Sequence, residues 1–270
     1  MRVTSRDGLN LEVSESGEGT PVVLVHGFGG SSKAWGEAAL AGLARSRRML
    51  AVNLHGHGAS DDPVAAARLG LEHVLDDLER VMDAAGVGSC PWVGYSMGGR
   101  LTLAASLLRP ERVERMVLES ASPGLASDHE RRVRRGSDET LAQRIVDEGV
   151  DSWVAAWERS PLFAGRRSLD PVVRDAFIAV RRANRPGSLA AWMRALGVGS
   201  QPSFWGRLPE VRAPALMVTG AEDPKYSELA RRMALQMPGA RHVVVPGAGH
   251  TVHLEAPAAW VDEVVSFLDE

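Results

Sequence analysis

Trp92-Val93-Gly94-Tyr95-Ser96-Met97-Gly98-Gly99-Arg100 is the stretch on which the fold turns. Its first half is a short apolar run that reads as a buried strand, and from Met97 to Leu108 the apolar residues recur at helical spacing. A serine between such a strand and such a helix, with Gly94 and Gly98 on either side, has the G-x-S-x-G form of a nucleophile elbow. The glycines have a steric reason. The turn forces the serine into a strained backbone conformation, and a side chain at either glycine would collide with the neighbouring strand or helix. The five-residue pattern also arises by chance, so its surroundings have to carry the reading.

Upstream lie two similar runs, Pro21-Val22-Val23-Leu24-Val25 and Met49-Leu50-Ala51-Val52, and downstream Val113 to Leu118, with helical spacing between them, as in Leu71 to Ala85. Short, β-branched runs of this kind are strands buried on both faces of a parallel sheet. The alternation resumes with Ala215-Leu216-Met217-Val218, a helix from Ser227 to Gln236, a strand from His242 to Val245 and a helix from Pro257 to Leu268. It predicts an α/β protein with a mostly parallel central sheet and helices on both faces. The intervening stretch has no comparable strand and shows helical periodicity at Leu141-Ile145 and Val150-Val154-Trp157. Residues 1–120 and 206–270 are therefore expected to form one core, and 121–205 a helical lid inserted in it.

A serine hydroxyl needs an imidazole to take its proton and a carboxylate to hold that imidazole's tautomer. In an open α/β sheet such groups gather at the carboxyl ends of strands. Gly220-Ala221-Glu222-Asp223 and Pro246-Gly247-Ala248-Gly249-His250 each follow a predicted strand, which makes Asp223 the orienting acid and His250 the base. Glu222 and His253 are the nearest rivals. After the first strand, His26-Gly27-Phe28-Gly29-Gly30 is rich enough in glycine to turn its amides inward, so Phe28 and Met97 are the expected oxyanion donors. A dinucleotide loop is disfavoured there because the third glycine of G-x-G-x-x-G is absent. His55-Gly56-His57-Gly58 reads as a structural turn rather than a metal site, so no metal and no cofactor is expected.

The 270 residues are 44% hydrophobic and 24% charged, enough to build a sizeable core. A net charge of -3 gives no basic field for nucleic acid. Residues 121–205 differ from the rest, holding 13 arginines and no lysine against 10 acidic residues, so they carry +3 and the remainder -6. A basic lid over an acidic body points to a small anionic substrate. One cysteine, Cys90, suits a reducing cytoplasm. The longest uncharged stretch, Ala84 to Gly99, is too short and glycine-rich to span a bilayer, so no membrane anchor is expected.

Taken together, the elbow, the His26-Gly27 loop, His57-Gly58-Ala59-Ser60, Asp223 and His250 resemble the α/β-hydrolase superfamily over essentially the whole chain. Within it, Gly94 to Arg100, Leu24 to Phe28 with Trp35, Arg134-Arg135 to Asp138, Pro161-Leu162-Phe163, Gly197 to Pro202 and Gly220 to Tyr226 are similar to the 2-succinyl-6-hydroxy-2,4-cyclohexadiene-1-carboxylate synthases of menaquinone biosynthesis. The resemblance implies a carbon-carbon lyase that eliminates pyruvate from a polycarboxylated cyclohexene, the triad removing a proton instead of forming an acyl-enzyme. It also implies that Arg100, Arg134 and Arg181 bind substrate carboxylates, with Tyr95 and Trp157 as further substrate contacts. Arg100 has independent support, since it stands about one helical turn beyond Ser96 on the same face. A guanidinium also grips carboxylate in a fork that lysine lacks. Asn53 and His55 depart from the Asp and Pro more usual in related proteins. The competing reading is a serine carboxylesterase or C-C bond hydrolase using the same triad.

Overall fold

The computed structural model describes residues 1–63 and 66–270. Among them are eight strands: β1 (Arg2–Thr4), β2 (Asn10–Ser16), β3 (Thr20–Val25), β4 (Arg47–Val52), β5 (Cys90–Tyr95), β6 (Val113–Glu119), β7 (Ala215–Gly220) and β8 (Arg241–Val245). The helices are α1 (Glu37–Leu43), α2 (Leu71–Ala84), α3 (Met97–Leu108), α4 (Asp128–Glu158), α5 (Pro171–Arg182), α6 (Pro186–Leu196), α7 (Pro224–Ala234), α8 (Val252–Glu255) and α9 (Pro257–Leu268). The strands form one sheet in the order β1-β2-β4-β3-β5-β6-β7-β8. The pairs β1/β2 and β2/β4 are antiparallel and the remainder parallel.

The pleat explains how one sheet supports two cores. On one face Val23, Val25, Leu50, Val52, Met116 and Leu118 pack with α2, α3 and α7. The alternate residues Val22, Leu24, Met49, Ala51 and Val117 pack with α1 and α9, where Trp260 and Phe267 fill the layer. Every strand expected from the apolar runs is present, extended by one or two residues. The antiparallel edge β1 and β2 was not foreseen. In β2 only Leu11 and Val13 are buried, so its signal is two residues on one face rather than a continuous run.

Residues 121–205 contain α4, α5 and α6 and no strand. A capping box starts α4: the Ser127 side chain accepts from the Glu130 amide while the Glu130 carboxylate accepts from the Ser127 amide. Gly149, with φ 82, interrupts that helix and turns its second half inward. Trp153, Val154 and Ile145 then bury against Leu189 of α6 and against Phe28 of the loop after β3. The segment is thereby tied to the loop that borders Ser96.

Candidate active site

Ser96 sits between β5 and α3 with φ 52 and ψ -107, a conformation costly for a residue bearing a Cβ. A Cβ on Gly98 would lie 1.8 Å from the Val25 carbonyl oxygen and one on Gly94 2.5 Å from that of Gly98. The glycines let strand and helix close on one another and leave the serine at the apex.

His250 and Asp223 come from the loops after β8 and β7. His250 Nε2 is 3.3 Å from Ser96 Oγ, and Nδ1 is 2.7 Å from Asp223 Oδ2. Asp223 is buried and also caps α7, its Oδ1 accepting the Tyr226 amide at 3.2 Å. Glu222, by contrast, is exposed. Burial pushes the His250 pKa below its ordinary value, against the opposing pull of Asp223. The imidazole is therefore held in its neutral, proton-accepting form at neutral pH. His253 is buried elsewhere, on Glu119.

The loop after β3 runs beside Ser96, and His57 determines which of its amides remain free. Gly29 N–H donates to His57 Nε2 at 3.3 Å, and His57 Nδ1 donates to the His55 carbonyl at 3.2 Å. Burial and the neighbouring His26 hold His57 well below its usual pKa, so it stays neutral and can accept. Among the described residues neither Phe28 N–H nor Met97 N–H, the first of α3, has an acceptor in the protein. The His-Gly-His turn thus shapes this loop.

A cavity of about 480 Å³ opens over Ser96 and His250. Phe28, Met97, Arg100, Arg134 and Trp157 all line it, so most of the expected site residues share one space. Arg100 Nη1 donates to the Leu196 carbonyl at 3.1 Å and to Gln201. Burial lowers its pKa to about 10, which leaves it cationic at neutral pH. Arg134 Nε donates to Asp138 at 2.6 Å, with its side chain partly exposed at the rim.

Two expected substrate contacts lie elsewhere. Tyr95 is packed between His250 and His253, its hydroxyl 3.0 Å from Thr251 Oγ1, and forms no part of the cavity wall. Arg181 is not in the wall either. It is 2% exposed, with its guanidinium carbon 4.7 Å from the Phe177 ring and 5.6 Å from that of Phe163. Burial, with Arg166 close by, lowers its pKa to about 9. The resemblance that picked out Arg181 could not tell the cavity side of α5 from the side facing the aromatic residues.

Sequence reasoning also passed over Lys225, Tyr226, Ser122 and Phe163, all in the wall. Lys225 and Tyr226 follow Asp223 and Pro224, a few residues past the carboxyl end of β7, and the rule that found the acid could have found them. The Tyr226 ring stands edge-on to His250 at 4.6 Å. Phe163 reaches the site through the folding of residues 161–168; the matching segment Pro161-Leu162-Phe163 gave it no role there.

Comparison with known proteins agrees with this geometry. The pattern described as alpha/beta hydrolase fold matches residues 20–257, and the chain belongs to that family. A Bacillus subtilis (strain 168) protein, provisionally named a 2-succinyl-6-hydroxy-2,4-cyclohexadiene-1-carboxylate synthase, is 35% identical over 99% of this chain and 98% of its own. An Escherichia coli (strain SE11) protein bearing the same synthase name is 31% identical over 96% of this chain and 98% of its own. The solved structure of MenH from S. aureus superposes with a TM-score of 0.89 at 26% identity, over 96% of this chain and 97% of that one. Within the α/β hydrolases, the chain belongs with the 2-succinyl-6-hydroxy-2,4-cyclohexadiene-1-carboxylate synthases.

Proposed function

We propose that this protein is a lyase of menaquinone biosynthesis that eliminates pyruvate from a polycarboxylated cyclohexene to give 2-succinyl-6-hydroxy-2,4-cyclohexadiene-1-carboxylate. The observation that carries the reading is one cavity containing Ser96, His250 and two guanidiniums, in a chain whose full-length relatives bear that synthase name. Ser96 and His250, oriented by Asp223, take a proton from a ring carbon. The electron pair left behind becomes a ring double bond and expels pyruvate as its enolate. The cleaved bond is then carbon-oxygen rather than the carbon-carbon bond first expected, because an enolate oxygen is a far better leaving group than a carbanion.

Negative charge grows on the carbon framework and its carbonyl oxygen as the proton leaves, and the Phe28 and Met97 amides are the donors for it. An aligned donor of this kind contributes about 3 kcal/mol to the transition state. Arg100 and Arg134 hold carboxylates, fixing which carbon faces the base. Arg181 and Arg166 act at longer range, raising the positive potential behind Trp157 and Phe163. Among the described residues no helix is long and apolar enough to cross a membrane. The placement we propose is cytoplasmic, in keeping with the free, buried Cys90.

The test is pyruvate release from the cyclohexene intermediate, measured beside hydrolysis of a p-nitrophenyl ester. Rapid pyruvate release with weak esterase activity is expected. Ester hydrolysis without pyruvate release would replace this reading with a serine esterase.

A further inference from the structure

His253, the rival of His250 in the sequence, never approaches the serine, yet it is among the most completely enclosed polar groups in the protein. His253 and Glu119 are 1% and 0% exposed. The Nδ1 atom lies 2.8 and 2.9 Å from the two Glu119 carboxylate oxygens, and Nε2 lies 3.1 Å from the Ala34 carbonyl. Both ring nitrogens thus lie within hydrogen-bond distance of oxygens, and His253 bridges Glu119 to Ala34. Trp35 and the edge-on Tyr95 ring stand 4.9 and 4.8 Å from it, and Trp260 6.1 Å, completing an aromatic enclosure.

A polar pair buried this deeply is a poor source of stability, since desolvation offsets most of its attraction and apolar residues of similar volume commonly serve as well. What it connects is more informative. The Glu119 backbone carbonyl accepts the Ser96 amide at 2.8 Å, directly behind the nucleophile. The Glu119 carboxylate holds both the side chain and the backbone N–H of His253, three residues after His250. Through Nε2, His253 also holds Ala34, in the turn that follows the Phe28 loop. Inside the histidine loop, Glu255 accepts the amides of Gly249 at 2.6 Å and Thr251 at 3.0 Å, gripping both neighbours of His250.

We infer that Glu119 and His253 are positioning residues: their hydrogen-bonded pair ties the serine elbow, the histidine loop and the oxyanion loop together and sets the Ser96–His250 alignment. The inference rests on the proposed function only in needing Ser96 and His250 to be the reacting pair. Elbow and base lie on loops far apart in sequence, and a pair with directional hydrogen bonds fixes their spacing where an apolar contact would allow sliding.

The experiment compares Glu119→Gln with the double variant Glu119→Met/His253→Phe, in which apolar groups refill the space so that folding is retained even if the single variant is unstable. Labelling of Ser96 by a fluorophosphonate should slow about 100-fold in both, and kcat for pyruvate release should fall similarly while KM moves by less than about twofold. The double variant should melt at or above the wild-type temperature. Wild-type labelling by the folded double variant overturns the inference. Wild type that labels readily but releases no pyruvate would sink the proposed reaction and leave this alignment role standing.

Discussion

Around the sheet, buried ionisable side chains meet a partner in direct hydrogen-bonded geometry, His250 with Asp223 and His253 with Glu119. In the helical segment inserted after β6 the arrangement is different. Arg166 and Arg181 are just as buried, yet they share one carboxylate, Glu158, at 3.2 and 3.9 Å and otherwise face aromatic rings. None of the Arg166 guanidinium nitrogens has a hydrogen-bond acceptor in the protein. The contrast separates two tasks. Paired groups on the core loops hold reacting atoms at set distances, whereas incompletely paired cations in the insert sustain a positive field, because their charge is not cancelled locally. On the proposed reading, the core supplies the reaction geometry and Arg100, and the insert adds attraction for an anionic substrate.

The largest effect that could break this division is at the triad. Ser96→Ala and His250→Ala should each lower kcat for pyruvate release by about 10⁴- to 10⁶-fold without loss of folding, since these groups act as one unit. Asp223→Ala should join them while Glu222→Ala stays near wild type. A reversal of that pair would move the orienting acid.

Arg100 belongs to the core but is proposed to hold the substrate, so it tests where the boundary runs. Arg100→Lys keeps the charge and loses the fork, and it should resemble Arg100→Ala, each about 10- to 100-fold down in kcat/KM, or about 1.4 to 2.7 kcal/mol. Wild-type kinetics for a folded Arg100→Ala would remove it from substrate binding.

The pH profile sharpens the same distinction. The His250 pKa is depressed by burial, so its neutral form persists below pH 6.5. The kcat/KM value should be flat near neutrality and fall about tenfold per pH unit only once acid protonates the imidazole. An acid limb centred above pH 7 would mean that His250 is not the desolvated base seen here.

Salt should have the smallest effect, and it reads the insert. Arg134 stands at the rim and is partly solvent-exposed, so its attraction for carboxylate is screened by ions. Raising the ionic strength should increase KM a few-fold and leave kcat nearly constant. A salt-independent KM would detach the charge of the insert from substrate capture.

The parts of the site legible in the sequence were those in which a residue sits at a fixed offset from a recognisable strand. Ser96, Asp223 and His250 each follow the end of a buried apolar run, and Arg100 lies one helical turn past the serine. Arg181 and Tyr95 fall outside that logic, because their orientation depends on which neighbour packs against them. Lys225 and Tyr226 were within it and were passed over. The edge strands β1 and β2 left too weak a signal, being short and buried on one face.

By itself the amino-acid sequence determined the six parallel strands, the elbow and the trio proposed to react, because local spacing and glycine placement admit few other backbones. Only the tertiary structure decided that Glu119, 23 residues after the serine, supports it from behind and binds His253, and that Arg166 and Arg181 stand behind an aromatic wall. These relations join residues from separate elements through packing and desolvation, and neither leaves a periodic trace along the chain.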